Sequence, residues 1–205
     1  MDSYSKVKLE HALVKSEPEF VQCFCNERFY KVKVGVNRKS GFEDHIYVHI
    51  SEKLVDLDKI WVGRFVDVSG DIRTYYNTRD KSVRNRLQVY VFASEITLED
   101  ESSRSKDYKN DVIIKGYICR EIRMKKIRNG VSLASTMIAV NRDHGKSAYI
   151  PLILWGRNAH FVENLGVGSH VKVTGRLQSR EFVLRENDSL IEINEVSADN
   201  LERAE

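Results

Sequence analysis

The chain has 205 residues, with 33 Lys and Arg against 30 Asp and Glu, a formal net charge of +3. Hydrophobic residues make up 41% and charged residues 31%, an ordinary balance for a water-soluble protein. No apolar run approaches the roughly 20 residues of a membrane span, and the first residues lack an apolar signal core, so we expect a cytoplasmic protein. The three cysteines Cys23, Cys25 and Cys119 have no matching Cys or His pair, so we expect free thiols and neither a metal site nor a cofactor.

The first half of the chain contains five apolar segments typical of strands. They centre on residues 9–14, 30–36, 45–50, 65–72 and 87–93. A short helix is predicted over residues 52–60, before Gly63. Trp61 follows this helix beside Ile60 and Val62, and we expect it to pack in the core.

The second half shows the same order. Its predicted strands centre on residues 112–114, 136–140, 150–154, 171–177 and 191–193, with a helix over 157–164. Asn129-Gly130 has the chemistry of a tight hairpin turn after the first strand. Residues 97–110 are charged and Ser-rich without apolar periodicity, which indicates a linker between the halves.

The two halves are copies of one unit. Val36-Asn37-Arg38 with Gly41 recurs 104 residues later at 140–142 and Gly145, and Val66, Val68 and Gly70 recur 105 residues later at 171, 173 and 175. A near-constant offset over so many positions indicates a duplicated domain of about 90 residues, each copy with its own core.

Three strands, a short helix and two further strands are typical of the five-stranded Greek-key barrel called the OB fold. An SH3-like barrel is the alternative, but it has no helix in that position. We therefore predict an all-β protein of two tandem OB-fold barrels, each with a short helix between strands 3 and 4. The first domain spans residues 1–98, the linker 99–109, and the second domain 110–205.

Strand alternation predicts an aromatic and basic outer surface on the second domain. If Ile150, Leu152 and Leu154 fill the barrel, then Tyr149, Pro151, Ile153 and Trp155 face outward. On the fourth strand Lys172, Thr174, Arg176, Gln178, Arg180 and Phe182 face outward by the same argument. Rings beside cations suit single-stranded nucleic acid, since bases stack on the rings while cations follow the phosphates. The alternative is that Trp155 and Phe182 are covered by the helix or a partner subunit.

Charge supports a polyanionic partner for this domain. Residues 1–105 hold 17 basic and 17 acidic residues, whereas residues 106–185 hold 15 basic and 6 acidic ones. Arg123, Lys125 and Lys126 crowd the predicted first hairpin, either as a solvated turn or as phosphate contacts.

These segments resemble bacterial single-stranded DNA-binding proteins. Residues 149–159 read YIPLILWGRNA and resemble that family's third strand and helix start, and residues 168–180 read GSHVKVTGRLQSR and resemble its fourth strand. Residues 120–130 resemble its basic hairpin. The match covers about residues 110–196. The whole chain resembles the family's two-OB versions.

The resemblance implies four base-stacking positions, which fall here on Tyr149, Trp155, Phe182 and His144, the last in place of the usual Trp. The remaining predicted contacts are the cations Arg142, Lys146, Arg157, Lys172, Arg176, Arg180, Arg123, Lys125 and Lys126 and, in the first domain, Arg73, Tyr75 and Tyr76. In the first copy His45 and Ser51 replace Tyr149 and Trp155, so we expect the second domain to be the main binding domain. The family's acidic recruitment tip is not found at the C-terminal residues, so recruitment of replication proteins by that route is not expected.

The sequence therefore predicts a non-catalytic, nucleoid-associated protein that coats and protects single-stranded DNA during replication, recombination or repair, with little sequence specificity. RNA is an alternative ligand, because stacking does not read the 2′-hydroxyl. The alternative function is a primosome-type adaptor that bridges a helicase or primase to single strands. Family resemblance also implies a homodimer with four OB folds, in which we expect exposed first strands to pair across subunits.

Overall fold

The computed structural model describes residues 3–77, 87–99, 107–127, 130–142, 145–183 and 190–204, with the backbone alone for Phe182 and Leu190. Within these ranges twelve strands form one continuous sheet, and each half of the sheet closes on itself through one additional strand pairing. Across the same ranges we find no helix with the length and apolarity to span a membrane.

The first barrel is formed by strands from the N-terminal half. They are β1 (Tyr4–Val14), β2 (Glu19–Phe24), β3 (Glu27–Asn37), β4 (Glu43–Ser51), β5 (Phe65–Tyr76) and β6 (Leu87–Leu98). Because β1 pairs with both β3 and β5, the strands close in the order β1-β3-β4-β6-β5. The exception is β2, which forms a hairpin arm on the outer edge of β3.

The second barrel repeats this plan. Its strands are β7 (Lys109–Ile118), β8 (Arg123–Lys126), β9 (Ser132–Asn141), β10 (Ser147–Trp155), β11 (His170–Val183) and β12 (Leu190–Arg203). β7 pairs with both β9 and β11, and β8 is the hairpin arm. In both barrels the third and fifth barrel strands, β4 with β6 and β10 with β12, run parallel, as the Greek-key connection requires. The prediction of two OB-fold barrels is confirmed.

The predicted helices have different outcomes. In the second barrel α1 (Gly156–Glu163) lies between β10 and β11, as predicted. In the first barrel the predicted helix over 52–60 is wrong, since only a 3₁₀ turn at Leu57–Lys59 forms there. The Ser51 hydroxyl accepts a hydrogen bond from Lys53 N, and the Asp56 carboxylate accepts one from Asp58 N. The Asp56 bond caps the N-terminus of the 3₁₀ turn, and Ile60 is already extended, so helical backbone is confined to this single turn.

The position of Trp61 also differs from the prediction. Ile60 is buried and fills the core position, whereas Trp61 is 43% exposed, with the Arg64 guanidinium 5.5 Å from its ring centroid. Without a helix over 52–60, no helical face turns Trp61 inward. Trp61 is therefore a surface residue of the first domain.

The two barrels join along β1 and β7, which pair antiparallel over seven positions from Tyr4–Lys115 to Glu10–Lys109. Val7 lies opposite Val112, its own counterpart in the second copy, so the pairing is the same when viewed from either domain. The buried apolar side chains of both barrels form one connected cluster, rather than the two separate cores that duplication suggests. We call this junction the β1–β7 seam.

Two further hydrogen bonds follow the same two-fold relation. The backbone N–H of Tyr149 donates to Thr74 Oγ1 at 2.9 Å, and that of His45 donates to Ser179 Oγ, also at 2.9 Å. His45 and Tyr149 are counterparts in the two copies, as are Thr74 and Ser179. Each barrel therefore places its fourth strand against the third strand of the other.

The seam changes the expected mode of assembly. The expectation that exposed first strands pair across subunits is wrong for β1 and β7, because these strands pair with each other inside the chain. Two edges tethered in one chain have a high effective concentration for each other, which favours intramolecular pairing. A homodimer would have to use other surfaces.

Two glycines preserved in the repeat mark a close approach of neighbouring strands. Gly70 and Gly175 lie at register shifts in β5 and β11. A Cβ at Gly70 would lie 2.2 Å from the carbonyl oxygen of Phe92, and one at Gly175 would lie 2.1 Å from that of Ser197. Only glycine fits where these backbones approach, which explains why both copies keep it.

Candidate nucleic-acid interface

The outer face of β10 carries two exposed rings. Ile150, Leu152 and Leu154 are fully buried inside the barrel, while Tyr149 is 42% exposed and Trp155 is 40% exposed. This is the orientation that strand alternation predicts. Ile153 lies on the same outer face but is buried, so the exposed apolar surface is concentrated in the two rings.

Strand register places cations of the hairpin arm beside these rings. Lys125 lies opposite Leu133 on β9, and Leu133 lies opposite Trp155 on β10, so the three side chains share one face. In the same way Arg123 lies in one row with Ser135 and Ile153. Lys126 is exposed but alternates to the other face of β8. We call the outer surface formed by Tyr149, Trp155, Arg123 and Lys125 the stacking face.

The predicted cations of β11 do point outward, but each is paired with an acid on β12. The pairs are Lys172 with Glu202 at 3.2 Å, Arg176 with Asp199 at 3.5 Å and Arg180 with Glu195 at 2.9 Å. A phosphate would have to compete with these carboxylates, so the three cations should contribute less to binding than their number suggests.

Gln178 differs from its predicted outward exposure. Its side chain is buried, and its amide donates to Glu195 Oε1 at 3.1 Å. The same carboxylate oxygen accepts from Arg180 Nε. Because Glu195 is nearly inaccessible, this pairing fixes Arg180 and Gln178 in place and removes Gln178 from the binding surface.

Arg142 follows β9 and Lys146 precedes β10, and both line a groove between the domains. The groove has a volume of about 660 Å³ and is lined by both domains: Ser3, Tyr4, Ser5, Gln22, Phe24, Asp71, Arg73, Val140, Asn141, Arg142 and Lys146. Three of its side chains are basic and one, Asp71, is acidic. Arg142, Lys146 and Arg73, predicted from different parts of the sequence, thus come together in one place. We call it the interdomain groove.

In the first domain the predicted residues form a separate group. Tyr75 and Tyr76 are about half exposed at the end of β5. Arg73 stacks on Phe92, with its guanidinium carbon 3.3 Å from the ring centroid, and its Nε lies 2.9 Å from Asp71. Arg73 is therefore held in a fixed orientation at the edge of the interdomain groove.

Other predicted residues are placed as follows. Arg157 is exposed at the start of α1. His144 lies outside the described residues. The backbone of Phe182 lies on β11, opposite Ile191 of β12.

Sequence reasoning gave no binding role to His49 and Tyr90, which stack with ring centroids 3.9 Å apart. Both alternate with buried neighbours, His49 beside Val48 and Tyr90 beside Val91, so strand parity was a usable signal for their outer-face position. The β12 acids were visible in the sequence, but their pairing with β11 depends on a register that includes a bulge at Gly175.

Within the described residues no group of three or more His, Cys, Asp or Glu side chains has the geometry to hold a metal ion. Cys23, Cys25 and Cys119 are free thiols. What the arrangement offers is rings for stacking and cations for phosphates.

Comparison with known proteins agrees with this chemistry. Residues 109–204 match the model of the single-strand binding protein family. A single-stranded DNA-binding protein of Oceanobacillus iheyensis is 31% identical over 100 residues, which are 45% of this chain and 62% of that protein. The chain thus matches less than two thirds of the length of this relative.

Solved structures extend the likeness to the whole fold. The wild-type single-stranded DNA-binding protein of Thermus aquaticus superposes with a TM-score of 0.79 at 18% identity, covering 100% of this chain and 95% of that one. A deletion mutant of the same Thermus protein gives a TM-score of 0.76 at 20% identity, covering 99% of this chain and 95% of that one. At such identities the likeness establishes the fold, with both barrels and their arrangement. Its second domain is therefore similar to the single-strand binding protein family, and the whole chain shares the two-barrel fold of the Thermus protein.

Proposed function

We propose that this protein binds single-stranded DNA with little sequence preference, and that it coats and protects the strand during replication, recombination or repair. The observation that carries the proposal is the stacking face, where two half-exposed rings share one outer surface with Arg123 and Lys125. It lies on the domain that matches the single-strand binding family model. The protein acts without catalysis: bases stack on Tyr149 and Trp155 while cations displace the counterions of the phosphates.

The arrangement of charges divides the cations into two groups. Arg123, Lys125, Lys146 and Arg157 are exposed, whereas the β11 cations are paired with β12 acids. Each phosphate neutralised on a single strand contributes a slope of about −0.7 in log affinity against log salt, so four exposed cations give a slope of about −3. Substituting the β11 cations should change this slope less than substituting the exposed ones.

The test uses the two tryptophans of the chain. In a Trp61→Phe background Trp155 is the sole tryptophan, and oligo-dT should quench its fluorescence as a base stacks on it. Tyr149→Ala and Trp155→Ala should each weaken binding by about 5- to 140-fold, measured by anisotropy of a labelled oligonucleotide. Phe161→Ala is the matched control, because Phe161 is equally exposed but lies on α1, off the stacking face. Unquenched Trp155 and full affinity in both variants would contradict the proposal.

Assembly and location are part of the proposal. A homodimer would bring four barrels together, using a surface other than the β1–β7 seam, and sedimentation at micromolar concentration tests it. Binding along chromosomal single strands would place the protein at the nucleoid in the cytoplasm. Competition between oligo-dT and oligo-U for the same site distinguishes DNA from RNA as the preferred ligand.

A further inference from the structure

The first domain cannot stack bases where the second domain does. His45 takes the place of Tyr149, and its ring is held between Glu192 at 2.7 Å and Glu43 at 3.0 Å. Ser51 takes the place of Trp155, is buried, and donates a hydrogen bond to Glu27. Both counterpart positions are therefore engaged in internal contacts.

Aromatic side chains gather at another place on the same barrel. The Tyr90 ring stacks on His49 at 3.9 Å and meets the edge of Tyr75 at 5.8 Å. Tyr75 is 46% exposed, and the neighbouring Tyr76 is 54% exposed. With Gln22 of the β2 arm these residues line a cleft of about 530 Å³, which we call the tyrosine cleft. Its volume is ample for a nucleobase and its sugar.

The cleft does not follow from the duplication. The second-domain counterparts of His49, Tyr75, Tyr76 and Tyr90 are Ile153, Arg180, Glu181 and Glu195, none of which is aromatic. Where the second domain has the ion pair of Arg180 with Glu195, the first domain has stacked rings. The aromatic surface of the first domain thus lies at a different position on an otherwise equivalent barrel.

The electrostatics of the cleft suit a base rather than a phosphate. Burial, together with the charges of Lys31 and Arg73, lowers the pKa of His49 to about 4, so its ring is neutral at pH 7. Burial also raises the pKa of Tyr90, which keeps its hydroxyl protonated. The walls are therefore uncharged π surfaces, and aromatic stacking accepts any base.

The cleft adjoins the interdomain groove. Gln22 lines both cavities, and the groove continues past Arg73 to Arg142 and Lys146 at the start of β10. Lys146 lies in the turn that leads directly to Tyr149 on the stacking face. Cations thus line the route between the two aromatic surfaces, which is the arrangement a sugar–phosphate backbone requires.

We propose that the tyrosine cleft is a second nucleobase-stacking site, occupied by the same DNA strand after it leaves the stacking face and crosses the interdomain groove. This inference rests on the proposed function and deepens it. The first domain then contributes bound nucleotides of its own, at a site built differently from that of the second domain. Short strands fill one site, and only longer strands reach both.

The test compares two lengths of oligo-dT in the Trp61→Phe background. One of about 8 nucleotides fits within the site of one OB fold, and one of about 35 exceeds two such sites. The Tyr75→Ser/Tyr76→Ser double variant should lose about 5- to 140-fold in affinity for the long strand, while the long strand still quenches Trp155 fully. Phe42→Ser is the matched control, since Phe42 is a half-exposed ring of the same domain outside the cleft.

Photocrosslinking gives a second readout that does not depend on affinity. A long oligonucleotide carrying 5-iododeoxyuridine should crosslink to Tyr75 or Tyr76, located by mass spectrometry of the peptides. Unchanged long-strand affinity with no crosslink in the cleft, while Trp155 is still quenched, overturns this inference and leaves the proposed function standing. Absence of Trp155 quenching by either length overturns the proposed function itself, and this inference with it.

Discussion

Asp71 provides a sharp test of the interdomain groove, because it is the groove's acidic side chain among two arginines and a lysine. Its carboxylate lies 2.9 Å from Arg73 Nε and 4.0 Å from Arg142 Nε. A phosphate entering the groove must displace this carboxylate from both guanidinium groups. We therefore expect Asp71→Asn to strengthen binding of a long oligo-dT, the opposite of the usual effect of a mutation in a binding site.

The magnitude follows from the two ion pairs. All three side chains are partly exposed, and such pairs are each worth about 0.2–1 kcal/mol. Releasing both before DNA binds removes a cost of about 0.4–2 kcal/mol, which corresponds to an affinity gain of about 2- to 30-fold. The gain should shrink at high salt, since the screening length falls from about 10 Å at 0.1 M to about 3 Å at 1 M.

The assay is anisotropy of a labelled long oligo-dT at low and high salt. Glu10→Gln is the matched control: it removes the same charge from a carboxylate paired with Lys8 at 2.5 Å and Lys109 at 3.7 Å on the β1–β7 seam. If Asp71→Asn weakens binding, or raises the affinity for oligo-dT no more than Glu10→Gln does, the phosphates do not pass through the groove. That result would refute the reasoning about the strand's path but not the role of the stacking face.

Three further predictions concern the fold. Gly175→Ala should lower the free energy of unfolding by about 1–3 kcal/mol in urea titrations, because its Cβ would lie 2.1 Å from a backbone oxygen. Gly166→Ala is the control and should leave the free energy of unfolding unchanged, because its Cβ would meet no atom within 4 Å. The pKa of His49 is about 4 in the folded state against an ordinary 6.5, so the unfolded chain binds a proton first as the pH falls. Between pH 6.5 and pH 4 the wild type should therefore lose up to about 3 kcal/mol more of its free energy of unfolding than His49→Gln. Parallel stability curves for the two proteins would contradict this. Cleavage between residues 100 and 106 should leave the halves associated on size exclusion, since seven residue pairs join β1 to β7 along the seam. Separation of the halves would show the seam to be weak.

Local rules were sufficient for the orientation of the side chains on β10. Alternation alone placed Tyr149 and Trp155 outside and Ile150, Leu152 and Leu154 inside, because a side chain's face depends only on its parity within the strand. The constant offset between the two halves was equally informative about the duplicated domain, because it is found by counting residues and requires no knowledge of packing.

Features that depend on contacts between distant segments could not be read in the same way. The pairing of Arg180 with Glu195 requires the register of β11 against β12, and that register shifts at Gly175. The arm β2 had no periodic signal, because all six of its residues are exposed. The predicted helix over 52–60 is wrong because helical backbone begins only after the Asp56 cap and ends at the extended Ile60.

The two-fold relation explains why the domains can differ in their binding surfaces without losing their junction. At the counterpart positions His45 and Tyr149 the contact with the other domain is made by the backbone N–H, to Ser179 and to Thr74. The side chain at that position is therefore not required for this hydrogen bond. One copy has an exposed ring there, and the other has a histidine held by two carboxylates. A junction made by backbone and hydroxyl groups lets each outer face change independently, so the proposed stacking sites can lie on β10 in one barrel and at the end of β5 in its twin.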